Sequence, residues 1–298
     1  MVIASIFESL FNSLEFWFPA YGAWILLTIT FFYAQKIEDN SIIDIAWGLG
    51  HIIQAGLQVY FKFILPNKSI HWRDLLVFGL ITLWGLRISW HIGKRHSGED
   101  WRYRDILRKR YAHKNPFVFK LKIYLLVFIL QWFFMTISCM AACNTIINQG
   151  TKEVTYFDQI GTFVFALGII IEALADYQLD KHLEVRGKAE KEGKKVNRFC
   201  QTGLWRYSRH PNYFGEVVVW WGIYIISLSN PNFLLGHIVN LLSPLTINFL
   251  LRRVSGVPFL EKKHMKDEEF KEYAERTPIF IPWIPKKIVV INTDKKNE

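Results

Sequence analysis

Apolar residues in this chain form long blocks that alternate with short polar segments, most of them basic. Seven blocks have about the length of a bilayer-spanning helix, roughly 20 residues. They cover residues 17–35, 41–64, 75–93, 122–147, 158–178, 212–229 and 231–250. The alternative for the last two blocks is a tight helical hairpin around Asn230 and Pro231. The pattern predicts an all-α, polytopic membrane protein with about seven transmembrane helices.

The basic residues predict the orientation of these helices. Residues 94–122 contain ten Lys and Arg residues, residues 181–209 contain nine, and the part after residue 251 contains eleven. The segments 65–74 and 148–157 together contain three. Basic loops stay cytoplasmic, so the N-terminus is expected outside and the C-terminus in the cytoplasm. A bacterial inner membrane and the endoplasmic reticulum fit equally well.

Composition narrows the classes of partner. The chain has 298 residues, 51% of them hydrophobic, and a net charge of +10. Topology and contact with anionic lipid headgroups account for the basic surplus, so no nucleic acid partner is predicted. The three cysteines fit neither a metal-binding nor a disulfide pattern, and no metal site is expected. No glycine-rich dinucleotide fingerprint is present, which excludes a Rossmann-type nucleotide site.

The segment before the sixth block concentrates charge at a predicted helix start. Arg206 and Arg209 precede Pro211, which suits the first position of a helix because its missing N–H is not needed there. The arginines and the free N–H groups of a helix start attract anionic groups. Asn212 and Glu216 share one face of the predicted helix. Lipid headgroups explain the arginines but not this polar face, so the pattern indicates a binding site.

Ionisable residues inside the blocks are a second signal, because charged groups in a membrane are costly. Asp44 lies in the second block and His91 in the third, both toward the predicted cytoplasmic ends. Tyr103 follows in a basic segment that acids and aromatics interrupt. These residues either tie helices together or line a polar cavity that holds a proton donor. Asp176, near the end of the fifth block, is a candidate acceptor for ligand hydroxyls and amides.

The stretch TGLWRYSRHPNYFGE at residues 202–216 resembles the hallmark of the steroid 5-alpha-reductase superfamily. The sterol C14 and C7 reductases have a similar pattern. Weaker similarity extends over about residues 41–285, and part of it resembles a branch of the superfamily with poorly defined substrates. The weaker motifs are DIAWG at 44–48, WGLR at 84–87, EDWRY at 99–103, ADYQL at 175–179 and a closing segment from Glu272 to Pro282.

The resemblance implies a seven-helix enzyme whose cytoplasmic loops cap a cofactor cavity. Such an enzyme uses NADPH to reduce a carbon–carbon double bond of an enone or sterol-like alkene. The expected organisation is one integral-membrane domain over residues 1–298, with the cofactor-binding half at about 158–285. The implied cofactor-binding residues are Asp176, Trp205, Arg206, Arg209, His210, Asn212, Tyr213, Glu216 and Arg252. Glu172 stands where the family often has Asn.

Reduction of an enone requires an acid that stabilises and protonates the substrate. The catalytic candidates are therefore Tyr103, or His91 together with Asp44. The lipidic substrate is expected to enter from the bilayer. Neither the identity of the substrate nor the oligomeric state is encoded in a motif.

Two other functions are consistent with the sequence. S-adenosylmethionine-dependent methyltransferases of the isoprenylcysteine carboxyl type have a similar Arg-His-Pro-x-Tyr helix start, although Asn212 and Glu216 distinguish this chain from them. The other alternative is a non-catalytic sterol- or lipid-binding membrane protein, because a fold does not fix a function.

Overall fold

The computed structural model describes residues 14–65, 68–111, 115–148, 150–230 and 234–286, and every regular element in them is a helix. The α-helices are α1 (Leu14–Ile37), α2 (Ile42–Ile64), α3 (Trp72–Arg95), α4 (Arg108–Tyr111), α5 (Pro116–Ile123), α6 (Leu130–Ile147), α7 (Tyr156–Lys191), α8 (Pro211–Ser227), α9 (Leu234–Asn240), α10 (Leu242–Phe249), α11 (Val257–His264) and α12 (Glu268–Arg276). Three π-helical segments, Arg102–Leu107, Tyr124–Ile129 and Leu250–Val254, and a 3-10 turn at Gly203–Arg206 complete the list.

Among the residues that the structure describes, five helical stretches are long and apolar enough to cross a membrane. They are Trp17–Ile37, Ile42–Ile64, Trp72–Arg95, Pro116–Ile147 and Tyr156–Lys191. Their surfaces expose large apolar side chains such as Ile29, Phe32 and Phe163, each more than 60% exposed. Exposed apolar surface of this extent suits contact with lipid rather than water. The prediction of an all-α, polytopic membrane protein is confirmed.

The last two predicted spans differ from the first five. α8 has 17 residues, and the predicted seventh span, 231–250, is divided into α9 and α10 rather than continuous. Pro244 explains the division, because its ring clashes with the carbonyl of the residue four positions earlier, Asn240, where α9 ends. The Asn144 amide donates to the Asn240 side chain at 2.7 Å, so buried polar contacts hold the interrupted region.

The chain divides into two compact units. The first comprises residues 1–165 and 220–247, and the second comprises residues 166–219 and 248–298. The second unit contains most of the segment 158–285 for which cofactor binding is expected.

The core of the first unit contains side chains of α1, α2 and the span that ends in α6. Leu27, Phe31, Ile43 and Phe128 are buried there. α2 and α3 approach within backbone contact, since a Cβ atom added to Gly48 would lie 2.3 Å from the carbonyl oxygen of Gly85. Only glycine permits this approach.

In the second unit, α7 and the start of α8 also lie in backbone contact. A Cβ atom on Gly215 would lie 2.6 Å from the backbone nitrogen of Glu172 and 2.8 Å from the carbonyl oxygen of Gly168. A Cβ atom on Gly168 would lie 2.6 Å from the nitrogen of Val219. Because backbone atoms cannot swing aside as side chains do, larger residues at these glycines must push the helices apart.

We expect Gly215→Ala to lower the free energy of unfolding by about 1–3 kcal/mol, the usual range for overpacking. The matched control is Gly187→Ala in α7, where nothing lies within 4 Å of the added Cβ. That change should raise stability by about 0.5–1 kcal/mol through helix propensity. Unfolding of the purified protein by heat or by SDS measures both. Equal effects of the two substitutions would contradict the close helix approach.

Candidate functional site

The second unit brings together the two strongest predicted motifs of the C-terminal half. Pro211 is the first residue of α8, as the sequence predicts. From the next position, the Asn212 side-chain amide donates a hydrogen bond to Asp176 Oδ1 on α7 at 3.1 Å. The two residues are 36 positions apart in sequence, so this contact depends on the packing of α7 against α8.

Buried acids lie one helical turn from this contact on each helix. Glu172 precedes Asp176 on α7, Glu216 follows Asn212 on α8, and all three carboxylates are at least nine-tenths buried. Ionised carboxylates only accept hydrogen bonds, so the site suits a ligand rich in hydroxyl or amide donors. Asn212 Oδ1 is buried without a hydrogen-bond partner, which leaves a further acceptor for such a ligand.

Trp205 is buried beside this contact and is held by the backbone. Its indole N–H donates to the carbonyl oxygen of Ala175 at 2.9 Å, and its own carbonyl accepts from the Tyr273 hydroxyl. It packs with Ala175 and Cys200 in a small core cluster. The residue predicted to flank the cofactor therefore anchors the loop before α8 to α7.

Arg209 has a different environment from the one predicted. Its guanidinium makes a bidentate ion pair with Glu261, at 2.7 and 2.9 Å. The remaining nitrogen donates to the carbonyl oxygens of Ala274 and Thr277 at 2.8 and 2.7 Å. Each guanidinium nitrogen thus has a protein acceptor, which gives Arg209 a structural role, and cofactor binding by Arg209 stays a prediction.

His210 belongs to the same cluster. It is buried, and its Nε2 lies 3.0 Å from Glu261 Oε1. Its ring stacks on Tyr213, with centroids 5.6 Å apart and planes within 5°. The structure thus places His210 against Glu261, and Tyr213 against His210.

The other predicted cations are exposed. Arg206 lies over the Tyr207 ring at 6.0 Å, and Arg252 lies over the Phe280 ring at 5.2 Å. Stacking leaves the edge of a guanidinium free to bind an anion. In the second unit, these two arginines can therefore reach a phosphate group more readily than Arg209.

A separate polar cluster forms in the first unit around Asp44. The Tyr103 hydroxyl donates to Asp44 Oδ1 at 2.7 Å, and Arg102 donates to Oδ2 at 2.8 Å. Gln131 of α6 donates to the Tyr103 oxygen at 3.2 Å. Burial, and next the nearby Asp44 carboxylate, raise the pKa of Tyr103 well above its ordinary value. The Tyr103 hydroxyl therefore keeps its proton at neutral pH.

The three catalytic candidates are only partly brought together. Asp44 and Tyr103 are in direct contact, whereas His91 lies on α3, where Arg95 Nη1 approaches its Nε2 at 3.2 Å. The sequence reasoning did not identify Gln131 or Glu261. Both lie in segments without a motif, and only their distant partners reveal a role.

All predicted site residues lie inside a region with a family assignment. Residues 30–277 match the family described as "Protein of unknown function (DUF1295)".

The chain belongs to the DUF1295 family.

The DUF1295 chain is also similar to the "Uncharacterized protein C594.04c" of Schizosaccharomyces pombe, with 23% identity over 207 residues. This similarity covers 63% of the chain and 57% of the relative, so the match spans little more than half the length of that protein. No solved structure gives a significant match.

Proposed function

We propose that this DUF1295 protein is an integral-membrane oxidoreductase that uses NADPH to reduce a carbon–carbon double bond of a lipidic substrate, such as an enone or sterol-like alkene. The hydrogen bond between Asn212 and Asp176 carries the proposal. It joins two motifs that each resemble the steroid 5-alpha-reductase superfamily, and membership of that superfamily is part of the proposal.

The second unit has acceptors that fit the sugar and carboxamide parts of a pyridine nucleotide. Asp176 and Glu216 are buried carboxylates that accept from ribose hydroxyls or amide N–H groups, and Asn212 Oδ1 lacks a protein donor. Arg206 and Arg252 are the cations for its phosphates. When bound, NADPH supplies a hydride, and the protein supplies binding and orientation.

The first unit contains a candidate acid. Tyr103 carries a proton on Oη, directed at Asp44 and held in place by Gln131. Enone reduction places negative charge on the substrate oxygen, and a positioned donor accelerates such a step. Arg102 balances the charge of Asp44 when Tyr103 gives up its proton.

Thermal unfolding of the purified protein with NADPH, NADH and S-adenosylmethionine in parallel tests the proposal. A ligand at 100 times its Kd stabilises the folded state by about 2.7 kcal/mol, and NADPH is expected to produce this shift. A shift with S-adenosylmethionine alone would favour a methyltransferase. No shift with any of the three would favour a non-catalytic lipid-binding protein.

Two substitutions localise the binding. Asn212→Ala and Arg252→Ala should each weaken the NADPH shift, because one removes the residue that bridges to Asp176 and the other a phosphate cation. The matched control is Arg253→Ala, the adjacent exposed arginine, which should keep the full shift. If Asn212→Ala responds to NADPH like the unmodified protein, the nucleotide binds elsewhere.

A further inference from the structure

His51 lies near the middle of α2 and is fully buried, yet the proposed reduction makes no use of it. Three indole rings pack around its imidazole. The ring centroids of Trp47, Trp84 and Trp220 lie 5.1, 5.2 and 5.0 Å from that of His51. Aromatic rings at this distance stabilise a cation, so these tryptophans suit an imidazole that becomes charged.

The hydrogen bonds of His51 satisfy both of its protonation states. Nδ1 lies 2.8 Å from the Trp47 carbonyl oxygen, which only accepts, so Nδ1 carries a hydrogen in either state. Nε2 lies 2.7 Å from Ser138 Oγ, and Ser138 Oγ is also 3.0 Å from the Met135 carbonyl oxygen. With neutral His51, the serine hydroxyl donates to Nε2. With protonated His51, Nε2 donates to Oγ and the hydroxyl turns to Met135.

A buried polar face continues from His51 along α2. Gln54, Gln58 and Lys62 follow at offsets of three, seven and eleven residues, which place them on the same side of the helix, and each is at least 99% buried. Gln54 Nε2 and both polar atoms of the Gln58 amide have no protein partner. Each unmet group lowers the stability of the fold, a loss that an apolar residue would avoid.

The far end of this face meets a polar cavity. Lys62 donates to Asp74 at 2.6 Å, and Asp74 lines a cavity of about 10 Å³ together with Asn144, Ser229 and Asn240. This volume holds about one water molecule, and water in such places bonds to otherwise unmet polar groups. Lys62 thus links the buried polar face of α2, which begins at His51, to a side chain that lines the cavity.

Few ionisable groups face His51 from the surrounding helices. The Cys139 thiol of α6 is 3.8 Å from the His51 carbonyl oxygen. Arg87 lies three residues beyond Trp84 on α3, and the buried Glu216 lies four residues before Trp220 on α8. Asp44 and Lys62 lie seven residues before and eleven residues after His51 on α2, roughly 10 and 16 Å away along the helix axis.

We propose that His51 is a proton-binding site inside the membrane, and that water molecules along Gln54 and Gln58 supply its proton from the cavity beside Asp74. This function is independent of cofactor binding in the second unit. In the transfer, the Ser138 hydroxyl proton moves to Nε2, so one O–H bond breaks as one N–H bond forms. Ser138 Oγ takes a replacement proton from a hydronium ion, which leaves water.

A pH titration of tryptophan fluorescence tests the site, because a protonated imidazole quenches indoles in contact with it. Three of the 12 tryptophans touch His51, so acidification from pH 8 to about pH 3 should remove up to about a quarter of the emission. His51→Gln should abolish this component, whereas His91→Gln should keep it. An unchanged titration in His51→Gln would overturn the proposal.

Ser138→Ala probes the hydrogen-bond arrangement. A hydrogen bond to a charged group is worth about 1 kcal/mol more than a neutral one, so the quenching midpoint should fall by about 0.7 pH unit. An unshifted midpoint would contradict the role of Ser138.

The rate of fluorescence quenching after a pH change tests the water route. After a rapid pH jump, a Gln54→Leu, Gln58→Leu double variant should quench at least about tenfold more slowly, with the same final amplitude. The control is Gln159→Leu, an exposed glutamine of the first unit, which should keep the original rate. An unchanged rate in the double variant would overturn the water route. His51→Gln should retain the NADPH-induced stabilisation, so failure here is separable from failure of the reductase assignment.

Discussion

Glu261→Ala is expected to lower the free energy of unfolding by about 3–5 kcal/mol, the usual loss when one partner of a buried ion pair is removed. The Arg209 and Glu261 side chains are 10% and 14% exposed, so water replaces the missing carboxylate at the guanidinium only in part. His210 loses its partner as well. The midpoint of heat or SDS unfolding measures the loss.

The control for this variant is Glu268→Ala in the neighbouring helix α12. Glu268 pairs with Lys271 at 2.6 Å, but its side chain is 81% exposed, so the change should stay within about 0.5 kcal/mol. Similar losses in both variants would show that the Glu261 ion pair carries no special stability.

The same ion pair predicts that the stability of the folded protein depends on pH. Burial raises the pKa of the Glu261 carboxyl. His210 and Arg209 lower this pKa by more than burial raises it, so the pKa lies below its ordinary value. A depressed carboxyl pKa gives stability that is present above the unfolded-state pKa and is lost as pH falls through the folded-state pKa. Unmodified protein should therefore lose stability in that acidic window, and Glu261→Gln should lose less.

Features that are set within a single helix, such as its first residue and the residues that share a face, could be predicted from the sequence. A proline fixes the first turn of a helix by its own geometry, and α8 begins at Pro211. The spacing of Asn212 and Glu216 then sets their shared face. The contact of Asn212 with Asp176 follows from the expectation that both lie near the same end of their spans.

Residues whose role depends on a distant partner were not predictable in this way. An arginine before a helix start suits a phosphate and a carboxylate equally, and the carboxylate that binds Arg209 lies 52 residues away. Glu261 precedes Lys262 and Lys263, so its local sequence resembles an exposed helix face. Gln131 lies in an apolar span, and its contact with Tyr103 is visible only in the structure.

Hydropathy located the membrane helices but not their interruptions. The first five blocks correspond to five long helices because block length alone determines whether a helix can cross. In the last block, apolar residues continue past Asn240 and Pro244, so hydropathy stays high. The backbone nevertheless breaks at that point, since proline cannot donate the hydrogen bond that a continuous helix needs.

Arg73→Ala is the second substitution with a large expected effect, again about 3–5 kcal/mol of unfolding free energy. In the first unit, Arg73 binds both oxygens of Asp158 at 2.7 and 2.8 Å. It also donates to the carbonyl oxygens of Thr151 and Glu153 at 2.6 and 2.9 Å. Its removal leaves a carboxylate and two carbonyls without this donor, and the Asp158 side chain is only 2% exposed.

Arg73→Lys separates charge from geometry at this position. Lysine keeps the positive charge but cannot form the planar, two-point contact with a carboxylate, so it should recover only part of the loss. In SDS unfolding, the unmodified chain should be the most stable of the three proteins, Arg73→Lys should be intermediate, and Arg73→Ala should be the least stable. Full recovery in Arg73→Lys would mean that charge alone stabilises this end of the first unit, and that the contacts to Thr151 and Glu153 contribute little.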